Sequence, residues 1–401
     1  MRIAIIGGGF AGVATALELA DRGTEIHIFE RAERALSGAS RHNEGKIHLG
    51  YIYAQDRSLR TADLMARGAA VFQDALYRWL GEDAGRLPVS PGFLYAVHRD
   101  SLVSPADCEA HLNACNGILQ KYAPGLDGPF ASPVRAPQRL TEAEREQTFA
   151  SDAVLAAFRT DEVSIDPGAL CDALEQRVLA TSQIALHTEC EIAEVAQRGN
   201  RLALLTSSGD RLEFDHVVNA AWEGRLPLDQ QMGLPAPPRW SHRMKYYLRL
   251  EGDCDLPTVS FVLGPFGDIA RYGGSTYLSW YPAGMRHWSF DPAPPAWPTH
   301  LDGREAEDLS HAIRAGLAGV VPAVAGVDVT GEHATVRGGV ICAIGRRDVD
   351  DPDSALHDRT AGVGIQSRGN YHSFSSGKLT TIPYFAAELA GRIRAGNRRY
   401  A

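Results

Sequence analysis

Residues 2–30 decide the fold of this chain; they read RIAIIGGGFAGVATALELADRGTEIHIFE. Two short apolar runs, 2–6 and 25–29, predict strands, and the apolar spacing between them predicts a helix over residues 10–21. Gly23 follows that helix, at the place where a left-handed residue typically ends one. The order strand, helix, strand predicts a βαβ unit whose two strands are parallel.

The turn between the first strand and the helix has the pattern G-x-G-x-x-G. Glycines there let the backbone turn sharply and approach a pyrophosphate, whose charge a helix N-terminus favours. Glu30 ends the second strand 18 residues after Gly12, where a carboxylate accepts hydrogen bonds from a ribose diol and repels a 2′-phosphate. An adenine dinucleotide of the FAD or NAD type is therefore predicted, and NADP is excluded. The expected contacts are Gly7, Gly9, Phe10, Ala11, Gly12, Glu30 and Arg31.

Composition narrows the class of protein further. A length of 401 residues predicts two domains, and a net charge of −9 offers no basic excess for a nucleic acid. No apolar run approaches the roughly 18 to 20 residues that cross a bilayer, and the N-terminus lacks the order of a signal peptide. The six cysteines form no C-x-x-C pair, so we expect reduced thiols in a cytoplasmic protein and no metal site.

Residues 37–51, SGASRHNEGKIHLGY, resemble the second flavin-binding segment of the D-amino-acid oxidase superfamily, G-A-S-x-x-N-x-G. The I-H-x-G portion at 47–50 is similar to the L-2-hydroxyglutarate and glycerol-3-phosphate dehydrogenase branch. The resemblance implies FAD as the cofactor, with His48 beside the isoalloxazine ring. There His48 would orient substrate or act as a base; the alternative is a structural histidine. The implied FAD contacts are Ala39, Ser40, Asn43, Glu44, Gly45 and Lys46.

Two more segments follow the same family in the expected order. Asp166-Pro167-x-x-Leu170 resembles its D-P-x-x-L segment, and residues 217–221, VVNAA, resemble its V-V-N-A-A-G segment. The resemblance implies that Ile192 lies against the adenine. Trp222 stands where many members have glycine, which is a departure from the family pattern. The contacts implied near the diphosphate are Ala220, Ala221 and Trp222.

Residues 340–347, VICAIGRR, occupy the place of the family's G-x-R-P strand, whose arginine pairs with a substrate carboxylate. The resemblance makes Arg346 the first candidate for that role, although Arg347 replaces the proline. A surface ion pair is the alternative for Arg346, and Arg271 is the alternative carboxylate partner. A guanidinium fork binds a carboxylate bidentately, so it orients the substrate as well as holding it.

Residues 369–378, GNYHSFSSGK, resemble the family's last motif, which leads into the final helix and faces the flavin N1 and C2 carbonyl. A positive charge there favours the reduced flavin, a role that fits Lys378. Tyr371 and His372 are candidates for substrate contact, with a structural role as the alternative. The cofactor contacts implied here are Ser376, Gly377 and Lys378, and the aromatic candidates for the substrate pocket, each otherwise a core residue, are Tyr246, Tyr277 and Trp280.

The fold class that follows is α/β, with a Rossmann-type, glutathione-reductase-like FAD-binding domain threaded with a mainly antiparallel-sheet substrate domain. The FAD-binding domain is predicted to comprise residues 1–80, 155–225 and 338–401, and the substrate domain residues 81–154 and 226–337.

The expected activity is hydride transfer to flavin N5 from the C–N or C–O carbon of a small amine, amino acid or hydroxy acid, with oxygen or another acceptor reoxidising the flavin. The alternatives are an FAD-dependent monooxygenase, a biosynthetic flavoenzyme with a larger substrate, an NAD-dependent dehydrogenase and a non-enzymatic flavoprotein.

Overall fold

The computed structural model describes residues 1–126, 135–252 and 254–397. Its strands are β1 (Arg2–Ile6), β2 (Glu25–Phe29), β3 (Leu94–His98), β4 (Gln138–Arg139), β5 (Val154–Arg159), β6 (Ile184–His187), β7 (Ile192–Arg198), β8 (Arg201–Thr206), β9 (Arg211–Phe214), β10 (His216–Asn219), β11 (Trp240–Glu251), β12 (Val259–Phe261), β13 (Gly267–Arg271), β14 (Ser275–Trp280), β15 (Met285–Ser289), β16 (His300–Leu301), β17 (Ala334–Ile344), β18 (Gly364–Arg368) and β19 (Tyr371–Ser375). Its α-helices are α1 (Phe10–Leu19), α2 (Arg60–Leu80), α3 (Pro105–Leu119), α4 (Glu142–Thr148), α5 (Pro167–Leu179), α6 (Arg225–Gln231), α7 (Tyr281–Gly284), α8 (Gly303–Ala318) and α9 (Ile382–Asn397).

The first sheet contains the predicted βαβ unit. Its six strands among the described residues have the order β18-β19-β10-β1-β2-β6, and β1 pairs in parallel with both β2 and β10. The carboxyl ends of β1, β2 and β10 therefore meet at one edge of the sheet, which is where ligands bind in open α/β sheets. The predicted βαβ unit and the α/β fold are confirmed.

The second sheet is mainly antiparallel, and it is the larger one. Its path is β16-β17-β11-β14-β13-β12-β3-β5-β4, and β15 pairs with β11 beside that path. The pairing of β12 with β3 is parallel. The predicted domain boundaries at 155 and 338 each divide a strand of this sheet, because β5 and β17 both pair within it. A third, small sheet consists of β7, β8 and β9.

Two apolar cores correspond to the two larger sheets. One is formed by β1, β2 and the helices α1, α2 and α9, and the other lies between the large sheet and α8. In the described ranges, no helix is both long and apolar enough to cross a membrane.

The motif at residues 369–378 leads into the final helix, but the helix does not begin directly at its end. Gly377 has a φ of +69°, and the backbone of Lys378 is extended, so neither residue continues a helix. A 3-10 turn over Leu379–Thr381 follows, and α9 begins at Ile382. Residues 376–378 are therefore a loop ahead of the helix rather than its first turn.

Close backbone contacts at the first βα turn explain its glycines. A Cβ on Gly12 would lie 2.0 Å from the carbonyl oxygen of Gly7. Gly7 itself has a φ of +99°, and a Cβ there would lie 2.6 Å from the oxygen of Ala220 at the end of β10. Side chains at these two positions would separate β1, α1 and β10.

We expect Gly12→Ala to destabilise the protein by about 1–3 kcal/mol, because the added methyl group can be accommodated only by moving backbone. Urea unfolding of the purified variant measures that loss, and its residual flavin absorbance reports the damage to the βα turn. Gly391→Ala is the matched control, because Gly391 lies in α9 with nothing within 4 Å of its added Cβ. A Gly12→Ala protein as stable as the control would contradict the close contact.

Candidate active site

A cavity of about 1110 Å³ lies between the carboxyl edge of the first sheet and the face of the large sheet. This volume exceeds the roughly 300–1,000 Å³ typical of small-molecule sites. One end is formed by the first βα turn and the ends of β2 and β10; we call it the outer end. The inner end is lined by Glu44, Lys46, His48, Tyr53, Arg243, Lys245, Asp268, Tyr277, Tyr281, Arg359 and Lys378.

Glu30 is fixed at the outer end by two backbone amides. The amide of Gly8 donates to one of its carboxylate oxygens and that of Ala32 to the other, each at 2.8 Å. The N-terminus of α1 opens into the same space, and its N-cap residue Gly9 offers no side-chain cap. The Phe10 amide donates to the Ser40 hydroxyl at 2.8 Å. Amides at a helix N-terminus next to an anchored carboxylate suit a dinucleotide, with the diphosphate on the helix and the ribose on the acid.

Most of the predicted cofactor residues line this cavity. They are Gly7, Gly9, Phe10, Ala11, Glu30, Arg31, Ala39, Ser40, Asn43, Glu44, Lys46, Ile192, Ala220, Ala221, Trp222, Ser376, Gly377 and Lys378. The hydrogen-bonding groups of the outer end are therefore suited to FAD. Their individual contacts with the cofactor stay predictions.

Gly12 and Gly45 do not line the cavity, contrary to their predicted role. Gly12 is needed for the close approach to Gly7. Gly45 has a φ of +63°, and a Cβ on it would lie 1.8 Å from the oxygen of Ile165. Both glycines shape the backbone that surrounds the cofactor site rather than the cavity wall itself.

Trp222 has a left-handed backbone conformation. Its φ is +50°, a left-handed value that glycine adopts easily and tryptophan rarely does. Its indole nitrogen donates to the carbonyl of Val340 at 2.8 Å, which ties the end of β10 to β17. The tryptophan therefore provides a link between the two large sheets.

Buried charges of both signs are concentrated at the inner end. Asp268 on β13 lies between two lysines, with its carboxylate 3.0 Å from the Lys46 ammonium and 3.6 Å from that of Lys245. Burial opposes ionisation of Asp268, but Lys46 and Lys245 outweigh it and lower the pKa of the carboxyl. Asp268 is therefore a buried anion that compensates part of the lysine charge.

Glu44 and Lys378 influence each other across the same end. Burial would raise the pKa of Glu44, but Lys378, Lys245 and Lys46 together lower it to about 2. Burial lowers the pKa of Lys378 to about 8, with Glu44 acting in the opposite direction. Lys378 thus holds a charge that is lost within the range of moderately alkaline pH.

His48 is buried and neutral. Burial, followed by the charges of Lys378 and Lys46, holds its pKa well below the ordinary value. Its backbone amide donates to the Thr380 hydroxyl at 2.8 Å, and its Nε2 lies 3.9 Å from the Glu44 carboxylate. The Nδ1 atom has no hydrogen-bond partner among the described residues.

Two arginines that the sequence reasoning missed reach the inner end. Arg243 on β11 is 1% exposed and donates to Asp348 at 3.1 Å. Arg359 lies in the irregular segment before β18. The Nε atoms of both arginines and the Tyr53 hydroxyl are buried without a hydrogen-bond partner in the part of the chain that the structure describes. Three unpaired donors around one cavity favour a ligand rich in acceptors.

The alternation of β11 explains which of its residues face the cavity. Arg243, Lys245 and Tyr247 line the cavity, whereas Met244 and Tyr246 belong to the core on the other side. Charged residues at every second position of an otherwise apolar strand are the sequence signal that could have identified Arg243 and Lys245. Lys245, Asp268 and Arg359 were all absent from the sequence-based predictions.

Four predicted substrate residues lie outside the cavity for reasons of strand geometry and local pairing. Tyr246 points to the core side of β11 and donates to the Pro298 carbonyl at 2.8 Å. Trp280 packs in the same core, with its indole close to Gly316 on α8. The Arg271 guanidinium donates to the Leu256 carbonyl at 2.9 Å. The fourth residue outside, Arg346, is exposed after the end of β17, with its guanidinium 5.1 Å from the Phe290 ring centre.

Tyr277, the remaining predicted substrate residue, does line the cavity. It stacks on Tyr247, with ring centres 4.5 Å apart.

Tyr371 and His372 on β19 also do not reach the cavity. The Tyr371 hydroxyl donates to Asp229 at 2.9 Å within a buried network. His372 pairs with His216 at 3.2 Å and with Ser367 at 2.9 Å. Both side chains are held by partners on α6, β10 and β18, which favours the structural alternative. The described residues hold no group of three or more His, Cys, Asp or Glu side chains arranged for a metal ion.

Comparison with known proteins agrees with this architecture. The chain is similar in structure to glycine oxidase from Geobacillus kaustophilus, with a TM-score of 0.65, 18% identity and coverage of 98% of this chain and 94% of that one. It is also similar to L-alpha-glycerophosphate oxidase from Mycoplasma pneumoniae with FAD bound, with a TM-score of 0.64, 16% identity and coverage of 97% and 94%.

A relative by sequence is the FAD-dependent monooxygenase FPY4 of Fusarium mangiferae, 24% identical over 273 residues, which are 67% of this chain. The match spans 60% of that protein's length. The model of the DAO family, described as FAD dependent oxidoreductase, matches residues 2–392. The NAD-dependent alternative is therefore wrong, and the chain belongs to the DAO family of FAD-dependent oxidoreductases, as residues 37–51 had indicated.

Proposed function

We propose that this enzyme oxidises a small organic acid at a carbon that bears an amine or a hydroxyl group next to the carboxylate. The observation that carries the proposal is the excess of buried and half-buried positive charge at the inner end. Lys46, Lys245, Lys378, Arg243 and Arg359 line it, against the carboxylates of Glu44 and Asp268 among the described residues. An anionic substrate would compensate the remaining charge.

The two arginines suit the carboxylate of that substrate. Lys46 and Lys245 are already paired with Asp268, whereas Arg359 has no ion-pair partner in the described residues and an unpaired buried Nε. Arg243 keeps an unpaired Nε beyond its contact with Asp348. A guanidinium that binds a carboxylate fixes the substrate's orientation, and therefore which carbon faces the flavin.

Aromatic side chains at the inner end would exclude water from the surroundings of the reacting carbon. Tyr277 and Tyr281 line the inner end, and the ammonium of Lys245 lies 4.5 Å from the Tyr281 ring centre. Bound FAD supplies the acceptor for the hydride at N5. Lys378 would stabilise the negative charge of the reduced flavin, and its loop position ahead of α9 brings it to the cavity.

A second candidate is the monooxygenase or biosynthetic reaction on a larger substrate. The observation in its favour is the extension of the cavity beyond the inner end to residues 293–297, APPAW. The relative FPY4 carries a monooxygenase name. A monooxygenase would consume a nicotinamide cofactor and oxygen while adding oxygen to the substrate, so it differs from an oxidase in its stoichiometry.

The experiment that tests the proposal follows the visible spectrum of the FAD-loaded protein without oxygen. Amino acids, N-methyl amino acids and 2-hydroxy acids are added one at a time, together with the matching amines and alcohols that lack the carboxylate. We expect bleaching by one class of acid and none by its counterpart without the carboxylate. Air readmitted to the bleached enzyme then separates oxygen from another acceptor. Bleaching by the compounds that lack the carboxylate, or by NADPH alone, would contradict the proposal.

We expect Arg359→Lys to raise the KM for the bleaching acid roughly 10- to 100-fold, because a charge-assisted hydrogen bond of about 1.5–3 kcal/mol is weakened. The measurement is steady-state kinetics with the FAD content checked by absorbance. Arg346→Lys is the matched control, and its KM should be unchanged because Arg346 lies outside the cavity. A raised KM in the control alone would restore Arg346 as the carboxylate partner.

We expect Lys378→Met to make the midpoint potential of the bound flavin more negative by roughly 30 to 60 mV at pH 7, since about 1.4 kcal/mol corresponds to 30 mV for two electrons. The difference from the native protein should shrink above about pH 8, because the lowered pKa of Lys378 removes its charge there. Dye-coupled redox titration at several pH values measures both effects. The exposed Lys121→Met is the control, and a pH-independent difference would contradict the role of the Lys378 charge.

A further inference from the structure

A buried carboxylate lies directly behind His48, outside the cavity. Glu162 follows β5 and is 0% exposed. Its Oε1 accepts a hydrogen bond from the Tyr95 hydroxyl, and its Oε2 accepts one from the backbone amide of Leu49 at 2.6 Å. These bonds fix the carboxylate with Oε1 3.7 Å from the unpaired Nδ1 of His48.

The two sides of the imidazole differ in a way that selects one tautomer. A neutral imidazole carries one N–H, and the buried N–H needs an acceptor. Nδ1 faces Glu162, while Nε2 belongs to the cavity side, where the nearest carboxylate oxygen, that of Glu44, is 3.9 Å away. A proton on Nδ1 therefore gains an acceptor and leaves the Nε2 lone pair toward the substrate.

We propose that Glu162 is a positioning residue that holds the Nδ1–H tautomer of His48, so that Nε2 takes the proton released during substrate oxidation. The proposal rests on the proposed function. The proton of the substrate's hydroxyl or ammonium group passes to Nε2, and the electron pair left on oxygen or nitrogen forms C=O or C=N. The hydride of the same carbon leaves with its two electrons to the FAD, which is the oxidant.

The separation of 3.7 Å is longer than a hydrogen bond. Catalytic hydrogen bonds are often long in ligand-free proteins and shorten when ligands are bound. Here both partners are already fixed by other groups, Glu162 by Tyr95 and Leu49 and the His48 backbone by Thr380. An approach of the imidazole by about 0.5–1 Å would bring Nδ1 within hydrogen-bond distance of Oε1.

The charge state of Glu162 makes its interaction with the Nδ1–H of His48 depend on pH. Burial raises the pKa of Glu162 to about 7, against the lowering influences of Lys46 and the Tyr95 hydrogen bond. Above that pH the carboxylate accepts from Nδ1–H, and below it the protonated acid no longer favours this tautomer. The other titratable groups facing the pair are Glu44, Tyr51, Tyr53, Cys115, Asp161, Asp268, Arg359 and Lys378.

The test is nitrogen NMR of the FAD-loaded protein labelled with ¹⁵N-histidine, with the His48 signals identified by their loss in His48→Asn. We expect a protonated Nδ1 and an unprotonated Nε2 at about pH 8, and a shift in these signals with a midpoint near pH 7. Glu162→Gln should abolish that midpoint. Tyr95→Phe should move it to higher pH, because the lost hydrogen bond had stabilised the ionised acid.

The exposed Glu142→Gln serves as the matched control and should behave as the native protein does. A protonated Nε2 in the native protein, or a midpoint that persists in Glu162→Gln, would overturn the proposal. The native titration decides the question even if a variant does not fold.

A kinetic experiment connects the tautomer with catalysis. With an acid that bleaches the flavin, Glu162→Gln should reduce the limiting rate of flavin reduction about 10- to 100-fold with little change in the acid's apparent binding constant. An unchanged rate would refute the positioning role. If no acid bleaches the flavin, the proposed function fails, whereas the NMR result still decides whether Glu162 sets the tautomer of His48.

Discussion

The contact between Gly12 and the carbonyl oxygen of Gly7 is the constraint on which the site depends. It allows α1 to start directly at the end of β1, and the neighbouring contact of Gly7 with Ala220 places β10 at the same edge. The helix amides, the anchored carboxylate of Glu30 and the end of β10 consequently surround one space. The large sheet closes that space from the other side, through the cavity face of β11.

Sequence reasoning succeeded where function requires a particular backbone. The βα turn and residues 37–51 need glycines and small residues at fixed positions, and such requirements are visible in the order of residues. The substrate end depends instead on which face of a strand meets the cavity and where an irregular segment crosses it. Arg346 and Tyr246 were therefore misplaced, and Arg359 was missed because the segment around it has no periodicity.

Lys46, Lys245 and Asp268 illustrate how a fold tolerates buried charge. Each ion would be costly alone, yet the carboxylate between two ammonium groups reduces the penalty for all three. Arg359 is half-buried and lacks a comparable partner in the described residues, and an uncompensated guanidinium shielded from water costs stability. Its position becomes understandable when a substrate carboxylate completes the charge balance, which links the energetics of the apoprotein to the proposed chemistry.

Glu162 behind His48 and Lys378 in the inner end respond to pH in opposite senses. Glu162 must lose its proton, above about pH 7, before it can hold the Nδ1–H of His48, whereas Lys378 must keep its proton, below about pH 8, to stabilise negative charge on the flavin. Both shifts arise mainly from burial, which disfavours the charged form of either group and so moves an acid up and an amine down. Burial therefore leaves Glu162 ionised and Lys378 protonated together only in a narrow interval, between about pH 7 and about pH 8. His48 is neutral in that interval as well.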